Sequence, residues 1–255
     1  MRYIRLLMEY DGSAYHGWQS QRSGGTIQDI ITGTLAGITS GPVKLTGASR
    51  TDAGVHALGQ VAVFSTASAL SADTIKRALN AKLPRDMRIL SAEETGSSFH
   101  PRYAALRKSY FYLISTSPRQ SAFLHRFLWD VRTGLDIGLM QEAAGCITGE
   151  HDFSSFRATG CGARSTIRTV TSLELAQLDE IGFMTASMKG DFIRIRIEAN
   201  AFLRYMVRNI VGTLVEVGKG NISPAGFSEI LNARDRTLAG PTAPPQGLFL
   251  EHITY

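Results

Sequence analysis

Apolar and polar residues alternate over positions 2 to 9, with Ile4, Leu6 and Met8 on one side, and this two-residue period predicts a β-strand. The period lengthens over 26 to 38. There Ile27, Ile31, Leu35 and Ile38 recur at helical spacing behind Thr26, a residue suited to cap a helix. Short strands are predicted near 43–48 and 59–65, then a helix over 72–82 with Ile75 and Leu79 inward and Pro84 just past its end, then a strand near 86–94. The order is βαββαβ, that of a ferredoxin-like domain.

The second half roughly repeats this order. An apolar, aromatic strand is predicted over 108–114, a helix over 136–147, and strands near 168–178, 182–188 and 191–199. In the last of these, Ile193, Ile195 and Ile197 share one face, with Arg194, Arg196 and Glu198 on the other. A long helix is predicted over 201–217, apolar on so many faces that it must be deeply buried. Ser223 and Pro224 read as N-cap and first residue of a shorter helix, and the chain ends in the strand GLFLEHITY. The predicted fold class is α+β. It has two ferredoxin-like (RRM-like) βαββαβ halves, 1–104 and 105–255, sharing a mainly antiparallel sheet with the active-site cleft between them.

Composition narrows the class. With 44% apolar and 19% charged residues among 255, the chain reads as soluble and globular. The net charge is only +5, but 21 of the 27 basic residues are arginines. Arginine forks onto phosphate and stacks on bases, so a nucleic-acid partner is one reading; a GC-rich genome would give the same bias. Cys146 and Cys161 form no CxxC pair and no zinc spacing with the histidines, which points to a reduced, cytoplasmic setting without a metal. No signal-peptide core, membrane span, Walker motif or Rossmann motif is visible, so neither a membrane nor a nucleotide cofactor is expected.

Four stretches carry candidate chemistry. In GASRTDAGVHALGQ, Arg50 and Asp52 are two apart, so an extended backbone points both to one side, and Gly54 permits a turn after them. A carboxylate beside a guanidinium stays ionised, as a nucleophile or charge stabiliser must; an ordinary hairpin turn would use the same residue types. In the helix ANAFLRYMVRNIVGTLVEVGKG, Arg204 and Arg208 lie four apart, and Arg208 is a candidate to pair with a buried carboxylate, catalytic or structural. Tyr110 and Tyr112 share a face of their strand, where aromatics either stack a base or pack a core. Arg157, Arg164 and Arg168 surround the glycine-rich stretch RATGCGARSTIR, a candidate phosphate-gripping loop or a solvated one.

Taken together, YDGSAYHGWQSQ, RTDAGVHALGQV, LNAKLPRD, FHPRYAALRKSYFY, GEHDFSSF, ANAFLRYMVRNIVGTLVEVGKG and DRTLAGPTAPPQGLFL resemble, in order and spacing, the bacterial tRNA pseudouridine synthase A family over essentially the whole chain. The resemblance implies an isomerase that needs no cofactor and converts uridine to pseudouridine at tRNA positions 38–40, in the anticodon stem-loop. By position, it implies Asp52 as nucleophile and Arg50 as the residue that helps extrude the base. Tyr110 would stack on the uracil, and Arg208 would be the basic partner of the nucleophile. It further implies a homodimer with one RNA crossing both subunits. Ser49 stands where the family most often has glycine, and Pro101 where alanine is common. A non-catalytic RNA binder and a carboxylate nucleosidase are the rival readings; the second would usually need a paired acid and base, and only one carboxylate stands out.

Overall fold

A computed structural model describes residues 1–119, 121–183 and 185–255, with the backbone only at Phe183. The chain runs β1 (Arg2–Tyr10), α1 (Ile27–Thr39), β2 (Leu45–Gly47), β3 (His56–Thr66), α2 (Ala72–Lys82), β4 (Met87–Thr95), β5 (Arg107–Ser115), β6 (Trp129–Asp130), α3 (Ile137–Gly145), β7 (Gly149–Asp152), β8 (Ile167–Phe183), β9 (Ala186–Ala199), α4 (Met206–Gly218), α5 (Pro224–Ala233) and β10 (Leu248–Thr254). The class is mixed α+β. The chain packs as two units, Met1–Leu106 with Phe249–Tyr255, and Arg107–Leu248.

In the first unit, β1 lies between β3 and β4, antiparallel to both. β2 pairs antiparallel with β3, and β10 adds a short parallel pairing at His56 and Ala57. Ile4, Leu6 and Met8 are buried, as are Ile27, Ile31 and Leu35 of α1 and Ile75 and Leu79 of α2, so each apolar stripe in the sequence faces the core. The Thr26 cap forms: its hydroxyl oxygen accepts from the Asp29 N–H at 3.2 Å and its O–H donates back to the Asp29 carboxylate at 2.6 Å.

In the second unit the strand order is β5-β9-β8-β7, all antiparallel, with β6 parallel to β5. Ile193, Ile195 and Ile197 are buried on the face of β9 opposite exposed Arg194. Ser223 caps α5, its oxygen accepting from the Gly226 N–H at 3.0 Å, with Pro224 in the first turn.

Two expectations need correction. The separate strand near 182–188 does not exist: β8 runs on to Phe183 and β9 begins at Ala186, giving one long hairpin, with Met184 outside the described residues. Gly182 and Gly190 sit inside these strands, and neither takes a positive φ. The long helix starts at Met206, not near 201. Tyr205 takes a left-handed conformation, φ 65°, which cannot propagate a right-handed helix, and the Arg204 carbonyl accepts from the Ala158 N–H instead. Phe202, Leu203 and Arg204 therefore precede the helix and do not belong to it.

Candidate active site

The segment between β2 and β3 has no regular structure, and it alternates as an extended chain should. Arg50 is exposed, Thr51 is buried and Asp52 is half-buried, so the two charged side chains share the outer side and the threonine points inward. The turn after it forms where Gly54 stands: the Val55 N–H donates to the Asp52 carbonyl at 3.1 Å, and Gly54 has φ 79°, the conformation a type II turn requires at its third position.

The loop of residues 11–18 braces this segment. The Trp18 N–H donates to the Thr51 carbonyl at 3.0 Å, and the Trp18 ring is buried. A Cβ at Gly12 would stand 1.9 Å from the Val55 carbonyl oxygen, so only glycine lets the two backbones approach there. His56, 1% exposed, stacks on Phe249 with ring centroids 4.7 Å apart. Its Nδ1 lies 3.1 Å from both the Gly12 N–H nitrogen and an Asp11 carboxylate oxygen. The polar-aromatic stretch YDGSAYHGW thus serves as the platform on which the Arg50–Asp52 segment rests.

In the second unit, Tyr110 and Tyr112 do share a face of β5, opposite Ile197 and Ile195 of β9. They differ in their commitments. Tyr112 is fully buried and its hydroxyl donates to the Pro244 carbonyl at 2.7 Å; burial pushes its pKa well above the ordinary phenol value. Tyr110 meets Phe202 edge-to-face with centroids 5.1 Å apart.

Arg208 sits in the first turn of α4, half-buried, with Nε donating to the Ala243 carbonyl at 2.7 Å while the Ala243 N–H donates to the Arg208 carbonyl at 3.0 Å. Its guanidinium lies 4.8 Å from the Tyr205 ring centroid, and that of Arg204 lies 4.9 Å away. The two arginines expected to share a helix face instead meet around one aromatic ring, a cation–π arrangement that fixes their planes.

The DRTLAGPTAPPQ stretch supplies the Arg208 support, a role the sequence reading did not find. Asn209, fully buried, donates to the Phe156 carbonyl at 2.8 Å and accepts from Thr242 at 2.6 Å and Arg236 at 3.2 Å. A Cβ at Gly212 would stand 1.7 Å from the Pro241 carbonyl oxygen. The signal available in the sequence was an asparagine and a glycine inside a mostly apolar helix.

The basic loop is less uniform than its sequence. Arg157 and Arg164 are exposed, whereas the Arg168 guanidinium donates to the Ser165 carbonyl at 3.1 Å and the Ile167 carbonyl at 2.5 Å. A cavity of about 220 Å³, walled by Trp129, Phe192, Leu124 and Leu128 with Arg119 and Lys189 among its lining, opens elsewhere in the second unit. Of the candidate residues, Arg50, Asp52, Tyr110, Arg164, Arg168 and Arg208 are absent from its lining, while Gln246 of the DRTLAGPTAPPQGLFL stretch is part of it. Among the described residues no group of three or more His, Cys, Asp or Glu side chains converges as metal ligands. No helix among them is long and apolar enough to cross a membrane.

The class of the protein comes from comparison with known proteins, which places it among RNA-modifying enzymes. The family model described as tRNA pseudouridine synthase matches residues 6–104 and 143–255, and the chain belongs to that family. It is 45% identical over 255 residues, all of both chains, to the tRNA pseudouridine synthase A of a Thermoanaerobacter species. It is 42% identical to the proteins of that name from Thermodesulfovibrio yellowstonii, over 99% of both chains, and Geobacter sulfurreducens, over the whole of both. Tyr110 lies in the stretch the family model skips, but the full-length relatives span it.

Proposed function

We propose that this protein isomerises uridine to pseudouridine in the anticodon stem-loop of tRNA, at positions 38–40, with Asp52 as the nucleophile. The observation that carries the reading is the Arg50–Thr51–Asp52 segment: threonine buried, both charged residues turned outward on one side, and the backbone held by neighbours. Family membership supplies the reaction class.

In the reaction the C1′–N1 bond breaks, the uracil turns over, and a C1′–C5 bond forms. The C5 hydrogen leaves as a proton and N1 gains one, so the isomerisation is neutral in electrons and needs no redox cofactor. A carboxylate assists either by covalent attack or by stabilising and deprotonating the ribose as the base departs. The target base must first leave its stack, at a cost of a few kcal/mol. Arg50 fills the gap left behind in this reading, which its exposure supports. Tyr110 is the ring we assign to the uracil, on the resemblance of its stretch FHPRYAALRKSYFY to the family. Arg208 contributes a guanidinium whose orientation its Ala243 bond and Tyr205 stack define. Arg164 and Arg168 bind the RNA backbone in this reading, Arg164 through its exposed side chain. The β4-β1-β3 order with β2 on the far side of β3 supports a ferredoxin-like reading of the first unit.

The test is site mapping. Unmodified tRNA transcripts incubated with the protein, then labelled at pseudouridine and sequenced, should show modification confined to positions 38–40. Modification elsewhere would overturn the site assignment. We also propose a homodimer as the working form; light scattering at micromolar concentration should give twice the chain mass, and a monomer mass would refute it.

A further inference from the structure

Arg50 stands between two residues gripped by one buried hydrogen-bond network. Gln60 of β3 is fully buried. Its Nε2 donates to the Ser49 carbonyl at 2.8 Å, and its Oε1 accepts from the Ser49 N–H at 3.2 Å. One side-chain amide thus satisfies both backbone groups of Ser49, as a neighbouring strand would. The same Nε2 reaches the Tyr10 hydroxyl at 3.4 Å. That hydroxyl shares a 2.8 Å hydrogen bond with Thr51 Oγ1, and the Thr51 carbonyl is taken by the Trp18 N–H. Tyr10 is 4% exposed and stacks on Trp18, with centroids 6.2 Å apart.

The expense of this arrangement is informative. Leucine, phenylalanine and valine would fill the volumes of Gln60, Tyr10 and Thr51 with no polar atom to desolvate. A buried polar network is favourable only when every member is satisfied. Here the partners on the loop side are the residues on either side of Arg50, and the second of them precedes Asp52. Fixing both neighbours removes the backbone freedom that would let Arg50 and Asp52 swing apart. Preorganisation of this kind acts on the chemical step, because a reacting group misplaced by about 1 Å can lose on the order of 100-fold in rate.

We propose that Tyr10 and Gln60 are positioning residues for the isomerisation, acting through Thr51 and Ser49 to set the direction of Arg50 and Asp52. The proposal rests on the reading of Asp52 as the catalytic carboxylate. It is tested with Tyr10→Phe, Thr51→Val and the double variant, measured as single-turnover pseudouridine formation at saturating tRNA, beside tRNA affinity and thermal unfolding. Asp52→Asn serves as the separate check on the underlying reading.

Each single variant is expected to lower the single-turnover rate by roughly 10-fold to 100-fold, with tRNA affinity changed by less than about 3-fold. Both singles delete the same hydrogen bond, so the double variant should be no slower than the worse single. Thr51→Ser, which keeps the hydroxyl, should recover most of the rate. If Tyr10→Phe does not fold, Thr51→Val and Thr51→Ser decide alone. Folded variants that turn over at the wild-type rate would overturn the proposal, reducing the network to a structural one. An Asp52→Asn protein as active as wild type would instead overturn the reading beneath it.

Discussion

The segment that presents Asp52 and the turn that presents Arg208 reach rigidity by opposite means. Residues 49–52 have no regular structure and are held by side chains and backbone groups from β1, β3 and the 11–18 loop. Arg208 is placed by a helix that holds its own backbone, and the chain of residues 236–243, a 3-10 turn over Arg236–Leu238 followed by irregular backbone, is laid against it. A carboxylate on an extended segment can face the solvent side with its neighbour Arg50, which a helix would rotate away at about 100° per residue. The cost of the extended solution is that every backbone group must find a partner from elsewhere.

The comparison breaks first at its tightest contact. Gly212→Ala puts a methyl group against the Pro241 carbonyl, and neither α4 nor the loop can yield cheaply. We expect a loss of about 3 kcal/mol or more by urea unfolding, with Arg208 displaced along with the loop. Asn209→Ala removes the buried anchor of the same loop without a clash, leaving the Phe156 carbonyl and the Thr242 hydroxyl without their partner. About 2 kcal/mol is the expected loss, measured the same way.

Acid should loosen both regions. Hydrogen bonding from Lys219, outweighing some burial, holds the Glu216 carboxyl on α4 below its ordinary range. Hydrogen bonds from Ser20 and Thr26 do the same for Asp29, at the start of α1 behind the bracing loop. Both folded-state values lie below the unfolded ones, so this stability is fully present above the unfolded carboxylate range and is lost as pH falls through the folded values. Thermal unfolding across a pH series should show a midpoint falling below about pH 4.5, and less steeply in Glu216→Gln than in wild type.

The smallest effect has the opposite sign. Gly37 in α1 has nothing near the position its Cβ would take and an ordinary helical backbone. Gly37→Ala should stabilise by about 0.5–1 kcal/mol in the same unfolding assay, whereas Gly212→Ala destabilises, although both glycines sit in helices.

What could be read from the sequence follows the range of the interactions involved. The strands and helices of the first unit were legible because their apolar periods are local, and the caps Thr26 and Ser223 lie next to the helices they begin. The outward pairing of Arg50 and Asp52 was legible for the same reason. The grip of Gln60 and Tyr10 on the loop was not, since it joins β1, β3 and residues 49–51 through contacts 11 to 50 positions apart in sequence. The start of α4 was misplaced because Phe202 and Leu203 continue its apolar stripe, while the left-handed Tyr205 that ends it leaves no mark on the hydrophobic pattern. The Asn209–Thr242–Arg236 cluster was hidden likewise, its members being 6 to 33 positions apart.

The central claim is that the carboxylate of Asp52 carries the isomerisation of tRNA uridine. Its most direct test is tritium release from tRNA labelled at uridine C5, with wild type and Asp52→Asn side by side at equal folded concentration and equal tRNA occupancy. The account predicts release by the wild type, matched by pseudouridine in the product, and none above background from Asp52→Asn. Equal release from both proteins, or none from a folded wild type that binds tRNA, would contradict it.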